Sequence, residues 1–185
     1  MRTNLIIVDD FPGNPDMVRD FALKQEFNVK GNYPGVRTRS FLTPDLKEAI
    51  QTIVWNYGKE VTNWFQTDGF SGSYQLAYAS DRSWIHTDHF NKWAGVLYLT
   101  PNAPITGGTS LYMYKENGAT TSTEMGDRSY DASDITKWHK YDVVANRYNR
   151  LVMYRGDLFH MSNDYFGSTP QDGRLFQLFF FDTQI

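Results

Sequence analysis

The chain has 185 residues, with 18 Lys and Arg against 21 Asp and Glu and a formal net charge of −3. That length suits one domain with a sizeable core, and that balance provides no basic footprint for nucleic acid and no polybasic patch for a membrane surface. Aromatic residues make up 16% and favour sheet, while the lack of cysteine excludes a disulfide scaffold, a thiolate metal site and a cysteine nucleophile.

Leu5-Ile6-Ile7-Val8 reads as a short buried strand that ends at Asp9-Asp10. Four apolar residues are too few for the core of a signal peptide, and nothing approaches the ~20 apolar residues of a membrane span. With the absent cysteine this predicts a soluble, cytoplasmic domain. Asn14-Pro15-Asp16 starts a helix: Asn caps, Pro sits where its missing N–H costs nothing, and Asp faces the positive end of the helix. Met17, Val18, Phe21 and Ala22 supply its apolar stripe. Thr43-Pro44-Asp45 opens a second helix by the same logic. Leu46, Ile50, Ile53, Tyr57, Val61 and Trp64 follow at helical spacing and carry it to Trp64, lying on a sheet.

After Gly69 the pattern changes to strands at 74–79, 94–100, 109–114, 150–154 and 174–181, rich in Tyr, Phe, Leu and Val. Strands following helices predict a mainly β domain, an antiparallel sheet or barrel with helices packed outside. Residues 115–149 are polar and poorly periodic and read as an insertion, a candidate lid whose Trp138 closes over substrate. The expected organisation is a single domain, with 1–68 forming an N-terminal strand and helices and 69–185 forming the core.

His86-Thr87-Asp88 puts an imidazole and a carboxylate on one face of an extended segment, where both reach one metal ion. Alone the motif is near background. The strand Leu151–Tyr154, the turn Arg155-Gly156-Asp157 and then His160 supply a second imidazole 72 residues after Asp88. Two His and one carboxylate occupy one face of Fe(II) and leave positions for a co-substrate and O₂. Arg174 begins a strand in which Phe176, Leu178 and Phe180 share its face. A guanidinium inside an aromatic barrel is costly unless an anion pairs with it, and Arg suits a carboxylate.

His-Thr-Asp, Gly-Val-Leu-Tyr-Leu-Thr, Gly-Gly-Thr-Ser-Leu-Tyr, Asn-Arg-Leu-Val-Met-Tyr…Phe-His and Gly-Arg-Leu-Phe-Gln-Leu-Phe-Phe-Phe-Asp occur in that order. Over residues 70–183 this series resembles the Fe(II)/2-oxoglutarate-dependent dioxygenase superfamily on its prolyl-hydroxylase side. Tyr-Pro-Gly-Val-Arg-Thr and Asn-Arg-Leu resemble segments of small bacterial and phage proteins of unassigned substrate. The resemblance implies a double-stranded β-helix, a cupin-like jelly-roll barrel with the N-terminal helices packed on one sheet. It implies His86, Asp88 and His160 as iron ligands, with Arg174 and Tyr98 binding the distal carboxylate of 2-oxoglutarate. Segment 163–172 must then loop out between His160 and Arg174.

The implied reaction is oxidative decarboxylation of 2-oxoglutarate to succinate coupled to hydroxylation of a C–H bond. It uses Fe(II), 2-oxoglutarate and O₂, with ascorbate as a candidate reductant. A peptide or protein residue such as proline, or a small molecule, is the expected substrate; no nucleic-acid or membrane partner is expected. Two other classes stay open: a non-catalytic jelly-roll module binding sugar or peptide, and a metal enzyme on the same barrel without 2-oxoglutarate. Tyr74 and Tyr78 read as barrel filler, His89 points away from the motif, and His139 is solvated. Arg37, Arg82, Trp84 and Arg155 are secondary candidates for contact with substrate.

Overall fold

A computed structural model describes residues 2–126 and 130–185. In chain order it contains β1 (Leu5–Val8), α1 (Pro15–Leu23), β2 (Val36–Ser40), α2 (Pro44–Gly58), β3 (Val61–Trp64), β4 (Ser73–Ala77) and β5 (Trp93–Tyr98). Then follow β6 (Thr109–Tyr114), α3 (Ser122–Met125), β7 (Trp138–Val144), β8 (Leu151–Arg155), β9 (His160–Ser162) and β10 (Arg174–Thr183). The larger sheet has the order β1-β8-β5-β10-β4-β2 with β3 paired to β10, and the smaller has the order β7-β6-β9. All pairings are antiparallel. This is the mainly β jelly-roll architecture, with helices against one sheet.

The central strands of the larger sheet are buried on both faces, which is why they read as continuous apolar runs. Along β10, Leu175, Phe179 and Phe181 join Trp93, Leu97, Leu151 and Met153 in a core shared with Ala22, Ile50 and Val54 of the helices. The alternate residues Phe176, Leu178 and Phe180 meet Val96, Tyr98, Val152 and Tyr154 between the two sheets. One strand therefore separates the structural core from the barrel interior, with side chains alternating across it. Each fully buried large apolar side chain contributes about 1.5–3 kcal/mol.

Both helices start where the caps predict: Asn14 accepts from the Met17 N–H and Thr43 from the Leu46 N–H. The second helix stops at Gly58, short of Val61 and Trp64. Lys59, at φ 63°, turns the chain, and Val61–Trp64 leave as β3 to pair with the end of β10. The helical spacing of Val61 and Trp64 is coincidental with a strand that buries Trp64 against Phe181, ring centroids 5.1 Å apart. β2 was not evident in the sequence because Val-Arg-Thr-Arg-Ser has no apolar run.

The segment read as a polar insertion is in part barrel wall. Trp138–Val144 pairs with β6, and its polarity reflects an edge strand exposed along most of its length. Trp138 is no lid. It is buried against Phe159 and Tyr114, with centroids 4.8 and 5.0 Å away. Residues 127–129 of this segment lie outside the described residues.

Gly108 immediately precedes β6 and packs against the end of β7. A Cβ there would collide with the Val144 carbonyl, so only glycine lets β6 and β7 close at this point. Gly108→Ala should lower stability by about 1–3 kcal/mol, read as a reduced urea midpoint with an unchanged m-value.

Candidate metal centre

His86 lies in an extended loop before β5 and not in a regular strand. What holds it is a reciprocal backbone pair with the first residue of β9. The His86 N–H donates to the His160 carbonyl at 3.0 Å, and the His160 N–H donates back to His86 at 2.9 Å. Residues paired in this way present side chains on the same side, and the imidazole centroids are 4.3 Å apart. Asp88 is held two residues on, its N–H donating to the Gly156 carbonyl at 2.7 Å. Gly156 packs directly on the Asp88 and Asn91 carbonyls and has no room for a side chain. The turn between β8 and β9 thus fixes the carboxylate while β9 fixes the second histidine.

The Nδ1 of His86 lies 2.9 Å from the Trp84 carbonyl, and the Nδ1 of His160 lies 2.9 Å from the Leu158 carbonyl. A carbonyl only accepts, so each Nδ1 carries the proton and each Nε2 presents its lone pair. His160 Nε2 is 3.3 Å from Asp88 Oδ2. One ligand atom from each of the three residues lies within 4.8 Å of the others. Two neutral imidazoles and one carboxylate form a donor set of charge −1 with open sides, which suits a divalent iron-type ion.

The electrostatics favour the neutral form at His86. Burial and the neighbouring His160 push the His86 imidazole down to about 4. Burial alone would raise the Asp88 carboxyl, but His160 in its protonated form, donating from Nε2, together with His86 and Arg37 holds it below its ordinary value in the metal-free protein.

The triad opens into a cavity of about 490 Å³. Phe176, Leu178 and Phe180 form one wall, and Arg174 lies on the same face of β10 beyond that wall. Arg174 is fully buried. Its Nε donates to the Gly107 carbonyl at 2.9 Å and Nη2 lies 3.4 Å from the Gly108 carbonyl, while Nη1 has no partner. The rings of Phe176, Tyr165 and Tyr98 surround the guanidinium at 4.5, 5.4 and 5.5 Å. Among the described residues no carboxylate pairs with it. Tyr98 is also fully buried, its hydroxyl 2.7 Å from the Thr109 hydroxyl.

Residues 163–173 do loop out, and the loop returns Tyr165 onto Arg174. That contact had no sequence signal, because nothing in the spacing indicates where a loop tip folds. Of the secondary candidates, Trp84 and Arg37 line the cavity, as does the exposed His89. Arg82 faces a neighbouring depression and Arg155 packs over the Trp93 ring. Tyr74 lies with Phe21 and Phe41 under the helices, away from the cavity. His139 is exposed on β7. No helix among the described residues is long and apolar enough to cross a membrane.

A family profile matches residues 1–137. The chain belongs to DUF6445, a family of unknown function. β8, β9 and β10, with His160 and Arg174, follow the matched region. No curated protein sequence matches significantly. Solved structures do. HygX from Streptomyces hygroscopicus with nickel and 2-oxoglutarate bound has a TM-score of 0.64 at 12% identity, covering 96% of this chain and 82% of that one. A second HygX structure, with hygromycin B also bound, has a TM-score of 0.64 at 11% identity, with coverage of 96% and 82%. A prolyl hydroxylase from Trichoplax adhaerens, in complex with a peptide fragment of hypoxia-inducible factor, has a TM-score of 0.50 at 15% identity, covering 97% and 84%. The fold is therefore that of the Fe(II)/2-oxoglutarate oxygenases.

Protonating His86 is disfavoured in the folded metal-free protein but not in the unfolded chain, so the unfolded state takes up more protons between the two pKa values. Stability of the metal-free protein should therefore fall as pH drops from about 6.5 to about 4, by about 3 kcal/mol. Urea unfolding across that range should be visibly less pH-dependent in His86→Gln.

Proposed function

We propose that this protein is an Fe(II)- and 2-oxoglutarate-dependent oxygenase that hydroxylates a C–H bond of a small molecule or of a peptide residue such as proline. The observation that carries this reading is the pairing of a three-donor cluster with Arg174, a buried guanidinium that keeps one nitrogen unpartnered in the same barrel. An unpaired buried cation is strongly destabilising, and a carboxylate from a co-substrate removes that penalty.

In this reading His86, Asp88 and His160 hold the metal, with both imidazoles oriented by backbone carbonyls. Arg174 binds the distal carboxylate of 2-oxoglutarate, its plane set by the Gly107 and Gly108 carbonyls and the surrounding rings. Tyr98 borders that site and orders its polar end through Thr109. When bound, Fe(II) and 2-oxoglutarate supply the oxidising chemistry, using O₂ and releasing succinate and CO₂. Phe176, Leu178 and Phe180 exclude water from the reacting centre. The cavity volume is within the range that holds a small molecule or a single residue of a peptide. HygX with hygromycin B and the peptide-bound prolyl hydroxylase support both kinds of substrate on this fold.

Anaerobic titration of the metal-free protein with Fe(II) and then 2-oxoglutarate should give a saturable visible charge-transfer band. His86→Ala should abolish it. Arg174→Ala should retain Fe(II) binding but weaken 2-oxoglutarate on the order of 10- to 100-fold. A folded wild-type protein without a band would overturn the oxygenase reading and favour the binding module.

A further inference from the structure

The cavity is lined by a buried cation that neither the metal cluster nor the co-substrate site uses. Arg37 projects from β2, is nine-tenths buried and lines the cavity beside the triad. Its Nε donates to Gln75 Oε1 at 2.7 Å, Nη1 donates to the Gly69 carbonyl at 2.6 Å, and the guanidinium lies 3.6 Å from the centroid of the Tyr33 ring. Gln75 is itself anchored by donation to the Pro34 carbonyl at 2.6 Å. Every group that orients Arg37 is neutral, and among the described residues it forms no ion pair. Its Nη2 makes no hydrogen bond within the described chain and borders the cavity.

An arginine fixed by neutral acceptors, with its outer edge free, is a preorganised anion receptor. Burial lowers its pKa to about 10, so it remains charged at neutral pH. The unpartnered Nη2 can donate to a carboxylate oxygen. Asp68, Asp88 and the exposed Lys30 also line the cavity, so its lining is near charge balance and tolerates a single negative charge better than a phosphate dianion. Across the opening, Phe70 and Phe90 stand 37% and 46% exposed. They contact each other and Phe180 edge-on or tilted, with centroids 5.8–6.1 Å apart. Exposed aromatic rings at the mouth of a cavity that also holds an unpaired cation provide an apolar surface and a charged end at one site.

We propose that Arg37 is a substrate-recognition residue, binding the carboxylate of a substrate whose apolar or aromatic body lies against Phe70, Phe90 and Phe180. The chemistry then done on that substrate rests on the oxygenase reading; the binding does not.

The test uses the full chain, anaerobic, with Fe(II) and saturating 2-oxoglutarate, and 3-phenylpropanoate and its neutral amide as calorimetric probes. The acid should bind at least about tenfold more tightly than the amide, equivalent to ~1.4 kcal/mol. Arg37→Gln should erase that preference while leaving the 2-oxoglutarate charge-transfer titration unchanged, and Phe90→Ala should weaken both probes alike. The acid–amide comparison in the wild-type protein needs no variant, so a folding defect in Arg37→Gln leaves it intact. Equal binding of the two probes, binding of neither, or a shifted 2-oxoglutarate titration in Arg37→Gln overturns the proposal. A missing charge-transfer band in wild type, with the acid preference retained, would fail the oxygenase reading alone.

Discussion

Two backbone hydrogen bonds between His86 and His160 hold the centre of this molecule together. They join an irregular loop to the first residue of a three-residue strand that β6 holds on its other side. Because the pair is reciprocal, both imidazoles project to the same side, and their Nδ1 atoms are taken by carbonyls of the chain just before them. Asp88 then needs only the Gly156 carbonyl to complete the cluster. The donor set is built from backbone geometry, which explains how it sits outside regular sheet without losing definition.

β10 supplies the rest. Its two faces do different work: Leu175, Phe179 and Phe181 fasten the helices to the sheet, while Phe176, Leu178 and Phe180 line the cavity. Stability and site therefore depend on the same ten residues. The helices contribute no side chain to the metal cluster; they cover the outer face of the sheet so that β10 is rigid where it borders the barrel.

The cavity is electrostatically uneven in a way that constrains what enters it. Arg174 and Arg37 are both buried, both oriented by neutral acceptors, and both without an acidic partner among the described residues. Protein interiors seldom keep one such cation, because the desolvation penalty is not repaid internally. In the proposed reading Arg174 takes the carboxylate of the co-substrate and Arg37 that of a substrate.

Much of this was determined by the sequence alone. Cap residues set the starts of both helices, alternation in Arg174–Phe181 assigned the two faces of β10, and His86, Asp88, His160 and Arg174 stood out by residue type and spacing. Local chemistry is sufficient for such features, since a cap or a parity is decided within a few residues. The tertiary structure decided what depends on partners distant in sequence. Val61 and Trp64 have helical spacing but form a strand because β10 offers them an edge, and polar Trp138–Val144 is a strand because β6 does. Tyr165 reaches Arg174 only through the fold of a loop. Arg37, in a strand with no apolar run, becomes a cavity residue only when Gln75, Gly69 and Tyr33, all remote or turn residues, close around it.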